Sequence, residues 1–200
     1  GYQFVRGMQG DDPKYLKTVA TAKHYAVHSG PESLRHEFNA RVSESDLRET
    51  YLPAFRTLVV DAGVYSVMGA YNLFRDYPCC ANPELFSILR DEWGFQGYIV
   101  SDCWAISDFY RFTKVASDAA EAAAQAVKAG TDLECGVDYK HLVTALERGL
   151  LTEDDIDRAV TRVFTARFRL GMFDPDDMVP YAAIPYFVNC SDFNNSLAWN

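Results

Sequence analysis

The residues best suited to chemistry stand at the ends of short apolar runs. Gly97 to Trp104 reads Gly-Tyr-Ile-Val-Ser-Asp-Cys-Trp, a β-branched run that stops on an acid, Asp102. Such a run is the signature of a buried strand in a parallel sheet. In a barrel of alternating strands and helices, catalytic groups sit at the C-terminal ends of strands. Rigid backbone then lies behind the carboxylate and an open pocket in front, so Asp102 is the candidate catalytic carboxylate. Three further runs end in polar groups: Thr18 to Tyr25 in Lys23 and His24, Val64 to Ala70 in Tyr71 and Asn72, and Thr131 to Glu134 around Asp132. Fixed donors and acceptors suit the neighbouring hydroxyls of a sugar, and an aromatic face suits its ring. Taken singly these signals stay open. A lysine at a strand end also fits a solvated side chain, and Asp102 also fits a helix N-cap.

The elements that must position these groups follow from periodicity and caps. Phe4 to Gly10 looks like the end of a helix stopped by glycine. Ser43 with Asp46 makes a capping-box-like start. Leu47, Tyr51, Leu52, Phe55, Leu58 and Val59 then recur at helical spacing, and Gly63 stops the helix. Pro83 opens a helix that closes at Trp93-Gly94. Ala116 to Ala129, Tyr139 to Arg148 and Glu153 to Leu170 complete the predicted helices, each followed by glycine. Val27 to Asn39 is too polar and irregular for an element. Four strands, each followed by a helix, give the rhythm of an α/β parallel sheet. Four such units are half of an eightfold barrel, with two raw edges. After Phe173 the pattern gives way to Asp174-Pro175-Asp176-Asp177 and a proline-spaced tail. Residues 1–173 therefore read as a partial barrel domain, and 174–200 as a linker.

Composition narrows the partners. The net charge is −9, with no basic run, which argues against nucleic acid or an anionic membrane surface. No apolar window approaches the roughly 20 residues of a spanning helix. The cysteines at 79, 80, 103, 135 and 190 have no Cys-x-x-Cys spacing, and their odd number leaves one unpaired if every bridge is internal. Adjacent Cys79 and Cys80 are poorly placed to bridge each other, and the redox compartment stays undecided. The chain opens on Gly1-Tyr2, as one whose natural start has been removed would.

Eight segments in order resemble glycoside hydrolase family 3, the exo-acting β-glucosidases and β-xylosidases. They are Phe4 to Gly10, Ala22-Lys23-His24-Tyr25, Glu49 to Phe55, Val67 to Asn72, Leu89 to Gly97, Val100-Ser101-Asp102, Ala129 to Asp132, and Leu170 to Pro175. The resemblance implies a (β/α)8 TIM barrel followed by an α/β sandwich domain, this chain carrying about the second half of the barrel. It implies a retaining hydrolase of terminal β-D-glucosyl or β-D-xylosyl residues, with Asp102 as nucleophile and a second carboxylic acid roughly 5–5.5 Å away. Lys23 and His24 would hold sugar hydroxyls, Tyr71 would sit beside Asp102, and Lys23 would help keep Asp102 ionised. Arg35 and His36 would belong to the sugar-binding loop. No cofactor or metal is expected. The partners implied are an oligosaccharide or aryl β-glycoside and the remainder of the enzyme, the N-terminal barrel half and second domain. A periplasmic or secreted location is suspected on the same ground.

The family's usual acid/base is a glutamate on the second domain, so the acid is expected on sequence outside this chain. Asp108, Glu134 and Glu32 are the in-chain stand-ins, each better read as solvent-facing or capping. β-N-Acetylglucosaminidases of the family instead use a histidine, and His28 and His36 fall at those positions. Their motif has an aspartate two residues before the second histidine, where this chain has Leu34. Without it, His36 is a poor general acid. The residue after the nucleophile is Cys103 rather than the stacking tryptophan of typical β-glucosidases, which looks like the β-xylosidase branch. Trp104, one place later, is a sugar platform or simply packing. Two other readings remain: an isolated non-catalytic or sugar-binding remnant, and a metal-dependent hydrolase using His24, His28 and His36.

Overall fold

The computed structural model describes residues 1–199, and the chain is mixed α/β. In order, α1 (Tyr2–Gln9) precedes β1 (Thr21–Tyr25), a 3-10 turn at Glu32–Leu34 and β2 (Asn39–Ala40). A broken helical stretch follows, with α2 (Glu44–Asp46) and α3 (Pro53–Arg56) joined to wide π turns at Leu47–Tyr51 and Thr57–Asp61. Then come β3 (Ser66–Gly69), β4 (Leu73–Phe74), β5 (Tyr77–Pro78), and α4 (Pro83–Ser87) with a π turn at Ile88–Glu92. β6 (Tyr98–Ser101) leads to α5 (Ala105–Arg111) and α6 (Ala119–Ala129). A 3-10 turn at Asp138–His141 and α7 (Leu142–Glu147) are followed by α8 (Glu153–Arg169) and α9 (Asp192–Trp199).

β1, β3 and β6 form a parallel sheet in that order, and Leu133 adds a single parallel bridge to Val100. Ala22, Val67 and Ile99 align across the three strands and are all buried, so one row of apolar side chains fixes the register. Helices cover that row. Leu85, Ile88 and Leu89 pack with it in one cluster, and Tyr25, wholly buried, donates from its hydroxyl to Leu85 O at 2.9 Å. Each such buried aliphatic contributes about 1.5–3 kcal/mol. The sheet therefore presents the ends of all its strands on one side.

Two departures from the expected elements have clear causes. The helix expected through Gly63 is interrupted because Pro53 has no N–H to donate, and the chain widens into π turns around it. The irregular stretch before Asn39 ends in a small second sheet, where β4 pairs with both β2 and β5. These strands are two residues each, too short for periodicity to reveal. α5 also goes beyond expectation. Ala105, Ile106 and Phe109 supply its buried face within two turns, fewer than a periodicity search resolves. The long helix α8 is as expected, and Thr152 with Asp155 closes a capping box at its start.

Candidate active site

At the C-terminal side of the sheet lies a cavity of about 330 Å³, lined by His24, His28, Arg35, Tyr71, Asn72 and Asp102 among others. Asp102 follows β6 directly, and its side chain is only 13% exposed. One carboxylate oxygen accepts from the Cys103 N–H at 2.8 Å. The other lies 3.2 Å from His24 Nε2. It does not cap α5, whose N-cap is Trp104 with no side-chain cap bond. Burial holds His24 below the usual imidazole range, opposed by the charge of Asp102. A neutral imidazole can donate from Nε2 to the carboxylate without cancelling its charge.

Tyr71 stands after β3, level with Asp102. Its hydroxyl donates to Cys103 O at 2.6 Å, and burial, then the Asp102 charge, pushes it up to about 12. The phenol therefore stays a donor near neutral pH. Cys103 is bonded to Cys135, a pairing that spacing alone left open. The loops holding these cysteines are further tied by Trp104 N–H to Cys135 O at 2.7 Å and Cys135 N–H to Ser101 Oγ at 3.0 Å. Glu134 caps the following turn, accepting from the backbone N–H groups of Asp138 and Tyr139. The segment after Asp102 is thus braced on three sides.

The remaining expected site residues divide. Arg35 lines the cavity, paired with Glu32 at 2.6 Å, its guanidinium 5.9 Å from the Tyr71 ring centre. Lys23 is exposed on β1 and does not line the cavity, and the group facing Asp102 from that strand is His24. Trp104 is half exposed, takes a left-handed backbone (φ 67°) and also stays outside the lining. His36 makes a T-shaped contact with Tyr71 and stacks on Phe112, again outside the lining.

Two carboxylates are placed differently from expectation. Asp132, grouped with the site by its strand-end position, turns away from it. It receives Ile99 N–H at 2.9 Å, Arg90 at 3.1 Å and Arg162 at 2.9 Å. Two guanidiniums draw it into the packing between β6, α8 and the Ile88–Glu92 turn. Asp108 is neither solvent-facing nor capping. It is buried on α5 and faces His36 Nδ1 at 2.7 Å, so the aspartate missing at position 34 has a counterpart in space.

Cys79 and Cys80 are fully buried thiols, with Sγ donating to Ala26 O and Ala70 O, and burial pushes Cys79 up to about 12. Such thiols are inert. Among the described residues no three His, Cys, Asp or Glu side chains gather at metal-binding range, so His24, His28 and His36 do not form the ligand set considered above. No described helix is long and apolar enough to cross a membrane.

Residues 1–166 match the model of the glycosyl hydrolase family 3 N terminal domain. The chain is 51% identical over 191 residues to a xylan 1,4-beta-xylosidase of Xylanibacter ruminicola, covering 93% of this chain and 22% of that protein. It is 40% identical over 190 residues to an exo-1,4-beta-xylosidase of Emericella nidulans, covering 91% of this chain and 25% of that protein. The chain thus spans about a quarter of the length of these relatives. Among solved structures it superposes on a GH3 exo-beta-xylosidase in complex with a xylobiose aziridine probe, with TM-score 0.89, 35% identity, and coverage of 100% of this chain and 26% of that one. A beta-glucosidase from Listeria innocua in complex with glucose gives TM-score 0.82 at 29% identity, covering 99% and 28%. The chain belongs to glycosyl hydrolase family 3, in the part that forms its N-terminal domain.

Proposed function

We propose that this chain is part of a retaining exo-β-glycosidase in which Asp102 attacks the anomeric carbon of a terminal β-xylosyl or β-glucosyl residue. The observation that carries the reading is Asp102 itself: a carboxylate at a strand tip, facing a sugar-sized cavity and held by one imidazole and one backbone N–H. Its charge is left unneutralised by any arginine or lysine ion pair among the described residues, which suits attack on an electron-poor carbon. His24, Arg35 and Tyr71 would bind hydroxyls, and the neutral Tyr71 phenol would donate close to the reacting centre. The four parallel strand positions would be about half of a (β/α)8 barrel, completed by sequence outside this chain, with residues after 173 leading to a second domain. The periphery, Lys23 and Trp104, would join the sugar contacts only where those other parts extend the cavity, and His36 would support the site from behind Tyr71.

The mechanism needs a proton donor for the leaving oxygen, roughly 5–5.5 Å from the nucleophile. Glu32 also lines the cavity, but its side chain is engaged by Arg35 at 2.6 Å. We assign the acid/base to another part of the full-length enzyme. Two similarities favour xylosides: the named xylosidase relatives and the Cys103 that replaces a stacking tryptophan. Hydrolysis of aryl β-xyloside and aryl β-glucoside by the full-length enzyme and its Asp102→Ala variant tests the reading. The variant is expected to lose at least about 1,000-fold in kcat, and a loss below about 100-fold would refute the role.

A further inference from the structure

Arg35 reaches the cavity from the loop between β1 and β2, and that loop is tied to the rest of the molecule in an unusual way. Residues 28–37 make their hydrogen bonds within the loop itself, such as Gly30 N–H to His28 O and Leu34 N–H to Pro31 O. Val27 and Phe38 anchor its two ends, accepting from Asn72 Nδ2 and Leu73 N–H. Between those anchors, one hydrogen bond among the described residues leaves the loop: His36 Nδ1 to Asp108 Oδ2, 2.7 Å, across 72 residues of sequence. Asp108 is 4% exposed, and His36 is the one side chain described as bonding its carboxylate. Phe112 stacks on the imidazole at 5.1 Å between ring centres, and Tyr71 meets it in a T-shaped contact at 4.9 Å.

A buried carboxylate without a donor is unfavourable, so Asp108 has strong reason to hold whatever donor reaches it. The helix that carries it begins three residues after Asp102. One tether therefore links the helix behind the nucleophile to the loop that brings Arg35 over Tyr71. We propose that Asp108, acting through His36, is a positioning residue that fixes the Arg35 loop against the sugar cavity. This rests on the reading of that cavity as the glycosidase site. His36 thereby serves substrate binding from behind Tyr71 rather than by touching sugar.

The test uses the full-length enzyme and steady-state hydrolysis of an aryl β-xyloside, with active sites counted by a mechanism-based label. Asp108→Leu keeps the shape but cannot accept, and it should raise KM about tenfold while changing kcat less than about threefold. Asp108→Asn, whose amide oxygen still accepts from Nδ1–H, should restore KM to within about threefold. His36→Ala should match Asp108→Leu, and His36→Asn, which places a donor where Nδ1 stood, should rescue it. The double variant Asp108→Leu/His36→Ala should be no worse than either single change, because one link is broken in each. In an Arg35→Ala background His36→Ala should add less than about twofold. A half-exposed side chain such as His36 leaves folding intact if Asp108→Leu does not. KM within about twofold of the parent in His36→Ala, or full additivity with Arg35→Ala, would overturn the proposal. Failure of the nucleophile reading would show separately, as activity retained in Asp102→Ala.

Discussion

Asp102 and Asp132 are both acids placed on strands of one parallel sheet, Asp102 just past β6 and Asp132 beside the Leu133 bridge, yet they do opposite work. Asp132 is 1% exposed and takes two guanidiniums and a backbone N–H. Arg90 in turn donates to Phe95 O and Gly97 O, so the cluster fastens the approach to β6. Burial pushes Arg90 down to about 10, a sign of how closed that cluster is. Asp102 faces a cavity, paired with one imidazole and with no arginine ion pair among the described residues. The lesson is that strand-end position nominates a carboxylate, and its counter-charges decide whether it is kept for packing or left for reaction.

Swapping the same change between the two sites gives the largest contrast. Asp102→Ala should abolish turnover by at least about 1,000-fold with the melting temperature nearly unchanged. Asp132→Ala should leave two partly buried guanidiniums uncompensated and cost about 3 kcal/mol in denaturant unfolding. Equal effects of the two on both readouts would erase the distinction. Next in size is the Cys103–Cys135 bond, which closes a loop of separation 32 beside Asp102. Cys135→Ser should destabilise by about 3 kcal/mol and lower kcat, measured by thermal unfolding and initial rates. Tyr71→Phe removes one partly buried hydrogen bond to Cys103 O and should lower kcat/KM about five- to tenfold.

The smallest effect concerns pH. Burial lowers His24 in the folded state, so the unfolded chain binds the proton more readily. This group's contribution to stability is therefore complete above its unfolded pKa, about 6.5, and is lost as pH falls through the folded value. Thermal unfolding of His24→Asn between pH 7 and pH 5 should accordingly be flatter than that of the parent. A steeper slope in the variant would contradict the assignment.

Much of this arrangement was legible from residue order. The runs ending at Ala70 and Asp102 became β3 and β6, because a strand buried on both faces must be apolar along its length, and Thr18 to Tyr25 became β1, which is buried at Ala22 and Tyr25. Arg35, His24, Tyr71 and Asp102 do meet at one cavity. What was not legible depends on chain geometry rather than local pattern. Nothing near Cys103 names Cys135 as its partner, and nothing near His36 points to Asp108, 72 residues on. Asp132 was grouped with Asp102 by its place on a strand candidate, and nothing near it names Arg90 or Arg162 from α8 as its partners. Lys23 and His24 are adjacent on one strand, yet only His24 reaches Asp102, where the pairing of β1 with β3 turns irregular between Ala22 and Tyr25.

The most direct test of the nucleophile is to trap it. The full-length enzyme, treated with a fluorinated β-xyloside that forms the glycosyl-enzyme but hydrolyses slowly, should gain one sugar per active site, mapped by peptide mass spectrometry to Asp102. A label on any other residue, or none while the enzyme turns over normally, would contradict the account.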